Sequence, residues 1–565
     1  MKNSSTVVVQ QVDSASQPAP LTRTRSGTQQ NKQKSASTFM DTCTQAEANS
    51  ITKAIAAFFY RCNIAFRVVD SHAFRKFISL LRPAYASKFL FHRDKLCTTL
   101  LDQQYEELMS VLLAQVKKSK YFVLACDGYE TSDGRHFVDV VIHTPGNPAL
   151  MYKAVDTTAM SLNKKAMIDI LTTCATELGV EKWLGSVLDN ASVNVATEKA
   201  IETEHPRVFV NGCAVHSYDL IIENFGDHVA FNSTFQQCHC IIHMVQRHQH
   251  VRQTYNDIKT RFGVKHKIIE PGNTRFKTNV IMARSIMENK SVLRELVDTH
   301  CDTVRKCSAK SAVKDSFIDL INSHGFWADL AMALDFFEPI ADILTNAESD
   351  TYFIEEVYTD MLKVFEHVSH FNFKGKMDKK EAQQICLRRW NFLHSDTMGF
   401  AFILNPITAG KGMLKMRSPL DNSKIDDYRE TMKDLREFLI LYYSNPEEAK
   451  QAAKEIDFFA QEFSDVDKEY VEKYANSNPR AYWAQHGRRN YPTLCKLADR
   501  LFQMPAGAIS SERVWSAFSF VYSKARNQLS SETLMKLVFI YVNSKLLDQE
   551  DRADYTNEED FFGMS

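Results

Sequence analysis

The chain has almost no charge bias. Its 68 Lys and Arg stand against 69 Asp and Glu, a formal −1 over 565 residues. Net charge therefore argues neither for nor against a nucleic-acid partner, and only local clusters of Lys and Arg can decide. No uninterrupted apolar run reaches the roughly 18–20 residues that span a bilayer, so no membrane protein is expected. Nor does any N-terminal apolar stretch have the build of a secretory signal. The twelve cysteines follow no regular spacing, which predicts free thiols in a reducing compartment, cytoplasmic or nuclear. What is present, 44% hydrophobic and 24% charged residues, is the composition of a soluble globular protein. The length predicts two or three domains.

Residues 1–45 are rich in Ser, Thr and Gln and carry Arg23, Arg25, Lys32 and Lys34 with little acid nearby, the composition of a disordered basic tail. From 46 to 120 apolar residues recur at three and four, predicting a helical N-terminal module. Its Arg61, Arg67, Arg75, Lys76, Arg82, Lys88, Arg93 and Lys95 lie among aromatics, a surface suited to phosphates and a place for DNA contact or dimer contact. Between 121 and 226 three β-like runs follow in quick succession, YFVLACD, HFVDVVIHT and ALMYKAVDT. A helix, the strand WLGSVLD, a second helix, the strand RVFVNG and a third helix complete the block. The order βββαβαβα matches a ribonuclease H-like α/β core with a mixed five-stranded sheet, in which the first and fourth strands lie side by side. Residues 227–494 read as a large all-helical insertion whose Phe and Leu stripes are core. Residues 495–548 resume strong patterning, and 549–565 form an acidic tail.

Three acidic residues stand out. Asp127 in FVLACDGYE and Asp189 in WLGSVLDNASVN sit where an apolar strand gives out, so each carboxylate is expected at a sheet edge. Glu512 in PAGAISSERVWSAF is expected to open a helix capped by Ser510 or Ser511. Converging carboxylate oxygens are what a hard cation such as Mg²⁺ takes. Another helix, capped by Ser530 or Ser531, should run to about Leu547. Cys-x-x-His occurs twice, at Cys213 and His216 and at Cys240 and His243. That is formally enough for zinc, but both pairs fall in helical patterns and no structural zinc is expected. His239, His248 and His250 mark a polar helix face.

In this order the motifs resemble the hAT superfamily of DNA transposases over roughly residues 54–548. The resemblance rests on Asp127-Gly128, on Asp189-Asn190-Ala191 with Asn194, on Cys213 and His216, on Thr274-Arg275-Phe276, and on Ser-Glu-Arg-Val-Trp-Ser at Ser511 to Ser516. It implies a ribonuclease H-like core interrupted by the helical insertion, with Asp127, Asp189 and Glu512 as a catalytic triad holding two Mg²⁺ or Mn²⁺ ions. It implies cleavage and transfer of double-stranded DNA at transposon ends, in the nucleus. Cys213, His216, Arg275 and Phe276 are then the expected DNA-binding residues. The terminal block would be the family's dimerisation region, its Trp515, Phe518 and Phe539 being surplus apolar surface for a homodimer or higher homo-oligomer. Two features depart from the pattern. Phe276 stands where many members have a Trp that stacks on a displaced base, and no Cys-x-x-Cys followed by a His pair precedes residue 121, as a BED zinc finger would require. A domesticated DNA-binding or regulatory dimer that no longer cuts is the alternative.

Overall fold

The strand β1 (Phe122–Glu130) opens on five buried residues in succession, and β4 (Trp183–Leu188) is buried at all six positions. Such unbroken apolar runs belong to strands covered on both faces. In the computed structural model, which describes residues 41–131, 133–272, 276–349, 351–408, 426–464, 478–522 and 529–547, these two strands lie parallel at the centre of one sheet. Its order is β3-β2-β1-β4-β5. The strand β2 (His136–His143) pairs antiparallel with β1, and β3 (Leu150–Asp156) antiparallel with β2. On the other side β5 (Phe209–Gly212) runs parallel to β4. Helices Lys164–Leu178, Ser192–Glu204 and Ala214–Gly226 follow β3, β4 and β5, so the expected strand and helix order is observed.

The expected N-terminal tail lies almost wholly outside the described residues, as does the acidic tail from 549. The first described helix, Gln45–Arg61, starts where the tail was expected to end. Thr44 and Glu47 form its capping box, each side chain satisfying a main-chain N–H of the other. Beyond β5 the described residues form helices and no further strand. Within them Phe336 gathers Phe225, Phe231 and Phe371 at centroid distances of 4.8, 5.0 and 4.9 Å, aromatic packing of the kind the apolar stripes predict. The apolar core is continuous from Ala56 to Val542, and none of the twelve cysteines is in a disulfide.

The helical region is tied back to the sheet by a short seam. Ile354 N–H donates to the Met504 carbonyl at 3.1 Å, Ala506 N–H to Tyr352 at 3.3 Å, and Ala214 N–H to Ala506 at 2.9 Å. The seam thus holds residues 504–508 between helix Ile354–His370 and the start of helix Ala214–Gly226. Helix Ile509–Val521 begins immediately after it.

One expectation about the terminal block needs correction. Trp515, Phe518 and Phe539 are not spare surface: they are 8%, 0% and 1% exposed within a single chain. Helix Ser531–Leu547 packs on β3, on Ile509–Val521 and on Thr99–Lys118, and every residue from Leu537 to Lys545 is buried. Its Asn543 closes the edge of the sheet. The side-chain carbonyl accepts from Met151 N–H at 3.0 Å and the amide donates to the Met151 carbonyl at 2.8 Å, replacing the neighbour that an edge strand lacks. Hydrophobic periodicity announces burial without saying against what.

Candidate carboxylate site

The register of the two central strands sets the first two carboxylates side by side. Cys126 is opposite Leu188 in the last β1–β4 pair, so Asp127 and Asp189 are the next residues along neighbouring strands. In parallel strands such residues share a face, about 4.8 Å apart across the ladder. Asp127 does not end its strand as expected. The antiparallel hairpin with β2 carries β1 on through Gly128, Tyr129 and Glu130, so Asp127 lies inside β1 at the point where only β4 has stopped. Asp189 falls just past β4, as expected.

Each motif residue around them has a local task. Asp127 Oδ1 accepts from Gly128 N–H at 2.8 Å, and its Oδ2 accepts from the Trp515 indole N–H at 3.1 Å. Trp515 in turn stacks on Tyr129, with centroids 5.0 Å apart and planes 9° from parallel. Asp189 Oδ1 accepts from Ala191 N–H at 2.8 Å and from Asn194 Nδ2 at 2.5 Å, which fixes the turn into helix Ser192–Glu204. Asn190 faces inward. Its amide donates to the Cys213 carbonyl at 3.1 Å and the Ser217 hydroxyl at 2.6 Å, anchoring the Asp189 loop to the next helix.

Gly212 leaves the room that Asn190 needs, because a Cβ there would stand 2.2 Å from Asn190 Oδ1. Gly212→Ala is therefore expected to push Asn190 and the Asp189 loop outward. Amide protection over residues 188–194 should fall while the thermal midpoint moves by only a few degrees, an effect of local misplacement more than of unfolding. Unchanged protection there would dissociate this anchor from the site.

The third carboxylate arrives on helix Ile509–Val521. The helix starts at Ile509 with Ala508 as a cap that lends no side chain, not at Glu512. Neither serine expected to cap it does so. Ser510 Oγ and His143 Nε2 are 2.9 Å apart, and Ser511 is fully buried. Glu512 and Trp515 are three apart and share a helix face, so the bond from Trp515 to Asp127 brings Glu512 to the same side of the sheet. Asp127, Asp189 and Glu512 are all partly accessible. Among the described residues, no group of three or more His, Cys, Asp or Glu stands in a metal-holding arrangement.

Behind them lies an acid that pattern reading passed over. Asp139 is directly opposite Asp127 in β2 and has no exposed surface. Burial first, and then the Asp127 charge, push its pKa well above the usual carboxylate range. An Asp inside the apolar run FVDVVIH was the available signal.

A second acidic group backs Asp189. Burial, then Glu202 and Asp189, raise the Glu198 pKa to about 8, and burial followed by Asp396 raises Glu202 to about 7. A carboxyl raised in the folded state keeps its proton there to higher pH than in the unfolded chain. Its contribution is therefore present below the ordinary 4.5 and lost as pH rises through about 8. Glu198→Gln should leave the thermal midpoint nearly unchanged at pH 5 and raise it at pH 8. A constant difference across that range would refute the assignment.

The expected DNA-binding residues fall in two places. Cys213 is buried beside the site, its N–H donating to the Leu188 carbonyl at 2.7 Å and its Sγ accepting from Ala508 N–H at 3.3 Å. His216 is exposed one turn into the same helix. Phe276 packs at that helix's far end, about 18 Å along it at 1.5 Å per residue. Its ring stands edge-on to Phe235 at 5.3 Å, and a Cβ on Gly226 would come within 1.9 Å of it. Arg275 lies outside the described residues.

Comparison with known families adds two matches. A family model described as a domain of unknown function (DUF659) covers residues 91–241, the stretch that includes Asp127, Asp189, Cys213 and His216. The model of the hAT family C-terminal dimerisation region covers residues 455–544, including Glu512 and Trp515, and supports a homodimer or higher homo-oligomer. No curated protein matches the chain. No helix among the described residues is long and apolar enough to cross a membrane. The two matches together support a hAT-type transposase.

Proposed function

We propose that the sheet and its helices form a ribonuclease H-like catalytic core, and that the protein cleaves and joins double-stranded DNA at transposon ends through Asp127, Asp189 and Glu512. The observation that carries this reading is the β1–β4 register, which sets Asp127 beside Asp189, together with the Trp515 bond that brings the Glu512 helix to Asp127. Half-exposed carboxylates are the right donors for Mg²⁺ or Mn²⁺, and Asp127, Asp189 and Glu512 are the residues that would hold the ions. When bound, such ions activate a water or 3′-hydroxyl and stabilise the leaving oxygen at phosphorus. The chain's own contribution is to hold Asp127 and Asp189 in register and to dock the Glu512 helix against them. His216, exposed on the neighbouring helix, is proposed to face the DNA, and the substrate places the protein in the nucleus.

A second reading is a domesticated, catalytically silent dimer. Phe276, whose ring is packed edge-on against Phe235, leaves room for it. Incubating the full chain with Mg²⁺ or Mn²⁺ and end-labelled DNA carrying its flanking terminal repeats separates the two. Strand cleavage is expected; binding without cleavage would leave the silent dimer.

A further inference from the structure

We propose that Asp139 is a positioning residue that locks Asp127 and the Glu512 helix into one arrangement, although they are 385 residues apart in the chain (512 minus 127). The inference rests on the reading that these two carboxylates work together. Three observations support it. Asp139 Oδ1 accepts the main-chain N–H of Asp127 at 3.0 Å, which fixes the backbone from which the Asp127 carboxylate projects. Asp139 Oδ2 and Ser511 Oγ are both buried without a conventional hydrogen-bond partner. They nonetheless lie close enough for the hydroxyl to act on the Asp139 carboxyl, lowering its pKa against the larger effect of burial. Ser511 precedes Glu512 in the first turn of its helix. One carboxyl group thus touches both halves of the site.

The cost of placing it there argues for a role. A buried carboxyl is expensive: burial first, and then the Asp127 charge, oppose its ionisation, with the Asp127 N–H and Ser511 acting the other way. The neighbours Val138, Val140 and Val141 fill the same strand without that cost. A valine at 139 would pack β2 equally well, relieving the desolvation of a buried carboxyl while leaving Asp127 N–H without its acceptor, two effects of opposite sign. It could not hold Asp127 N–H or meet Ser511.

Asp139→Val, Asp139→Asn and Ser511→Ala in the full chain test this by hydrogen exchange and by cleavage. Asp139→Val should lose amide protection over both 122–130 and 509–515. Its cleavage turnover should fall roughly a hundredfold, with the thermal midpoint and DNA affinity nearly as in the wild type. Asp139→Asn keeps an acceptor for Asp127 N–H and should restore both protection and turnover, to within roughly threefold of wild type. Ser511→Ala should loosen 509–515 alone, and it stands in should Asp139→Val fold poorly. Full protection and turnover in Asp139→Val would overturn the proposal. So would an inactive but protected Asp139→Asn, since the ionised group itself would then be in use. The exchange measurements stand even if the wild type does not cleave, so failure of the nuclease reading and failure of this one are separable.

Discussion

Asp127→Asn is expected to abolish metal-dependent strand cleavage, with a fall on the order of 10⁴-fold in single-turnover rate, the scale seen when one member of a concerted catalytic group is removed. The fold should survive. Asn retains a side-chain oxygen to accept from Gly128 N–H or from the Trp515 indole, the two bonds that now engage the carboxylate. Asp127 is also only partly buried, so water can take the donor that the Asn amide no longer accepts. Glu512→Gln should behave in the same way. The contrast with position 139 sharpens the expectation: the identical Asp to Asn change should be silencing at 127 and tolerated at 139, because one carboxylate is partly open to solvent while the other is fully buried. Measured turnover above a tenth of wild type in Asp127→Asn, with metal and DNA saturating, would remove the residue from the chemistry.

Much of this arrangement was legible in the sequence, and the limits have physical causes. Buried parallel strands announce themselves as unbroken apolar runs, so β1, β4 and the strand order could be read, and with them the pairing of Asp127 and Asp189. How far a strand continues depends on its partner. β2 carries β1 past Asp127, and no property of GYE alone dictates that. Ser510 and Ser511 look like caps because Ser favours that position, yet Ser510 is taken by His143 of β2 and Ser511 is buried away from the helix end. The stripe through Trp515 and Phe518 was rightly apolar but wrongly aimed outward, since a helical period reports a buried face without naming the surface that covers it. Asp139 was missed because a single polar residue scarcely changes the apolar period of a strand, whereas its burial opposite Asp127 emerges only from register.

Gly185→Val should be the most damaging change remote from the carboxylates. Gly185 sits in the middle of β4, paired with Val123 on one side and Phe209 on the other. A Cβ at this position would fall 2.4 Å from the Phe209 carbonyl oxygen and 2.5 Å from Met504 Sδ. The sulfur can swing away; the carbonyl belongs to the adjoining strand and cannot move without opening the β4–β5 ladder. Overpacking of this kind costs about 3 kcal/mol and more where backbone must shift. The damage should also travel, because the Met504 carbonyl holds Ile354 N–H in the seam that delivers helix Ile509–Val521. Gly128→Ala in β1 is the matched control, since a Cβ there meets nothing within 4 Å and the change should be neutral or slightly stabilising. Thermal unfolding of the two variants beside the wild type gives the answer: a large drop for Gly185→Val alone is expected, and equal midpoints would mean that β4 has space the structure denies it.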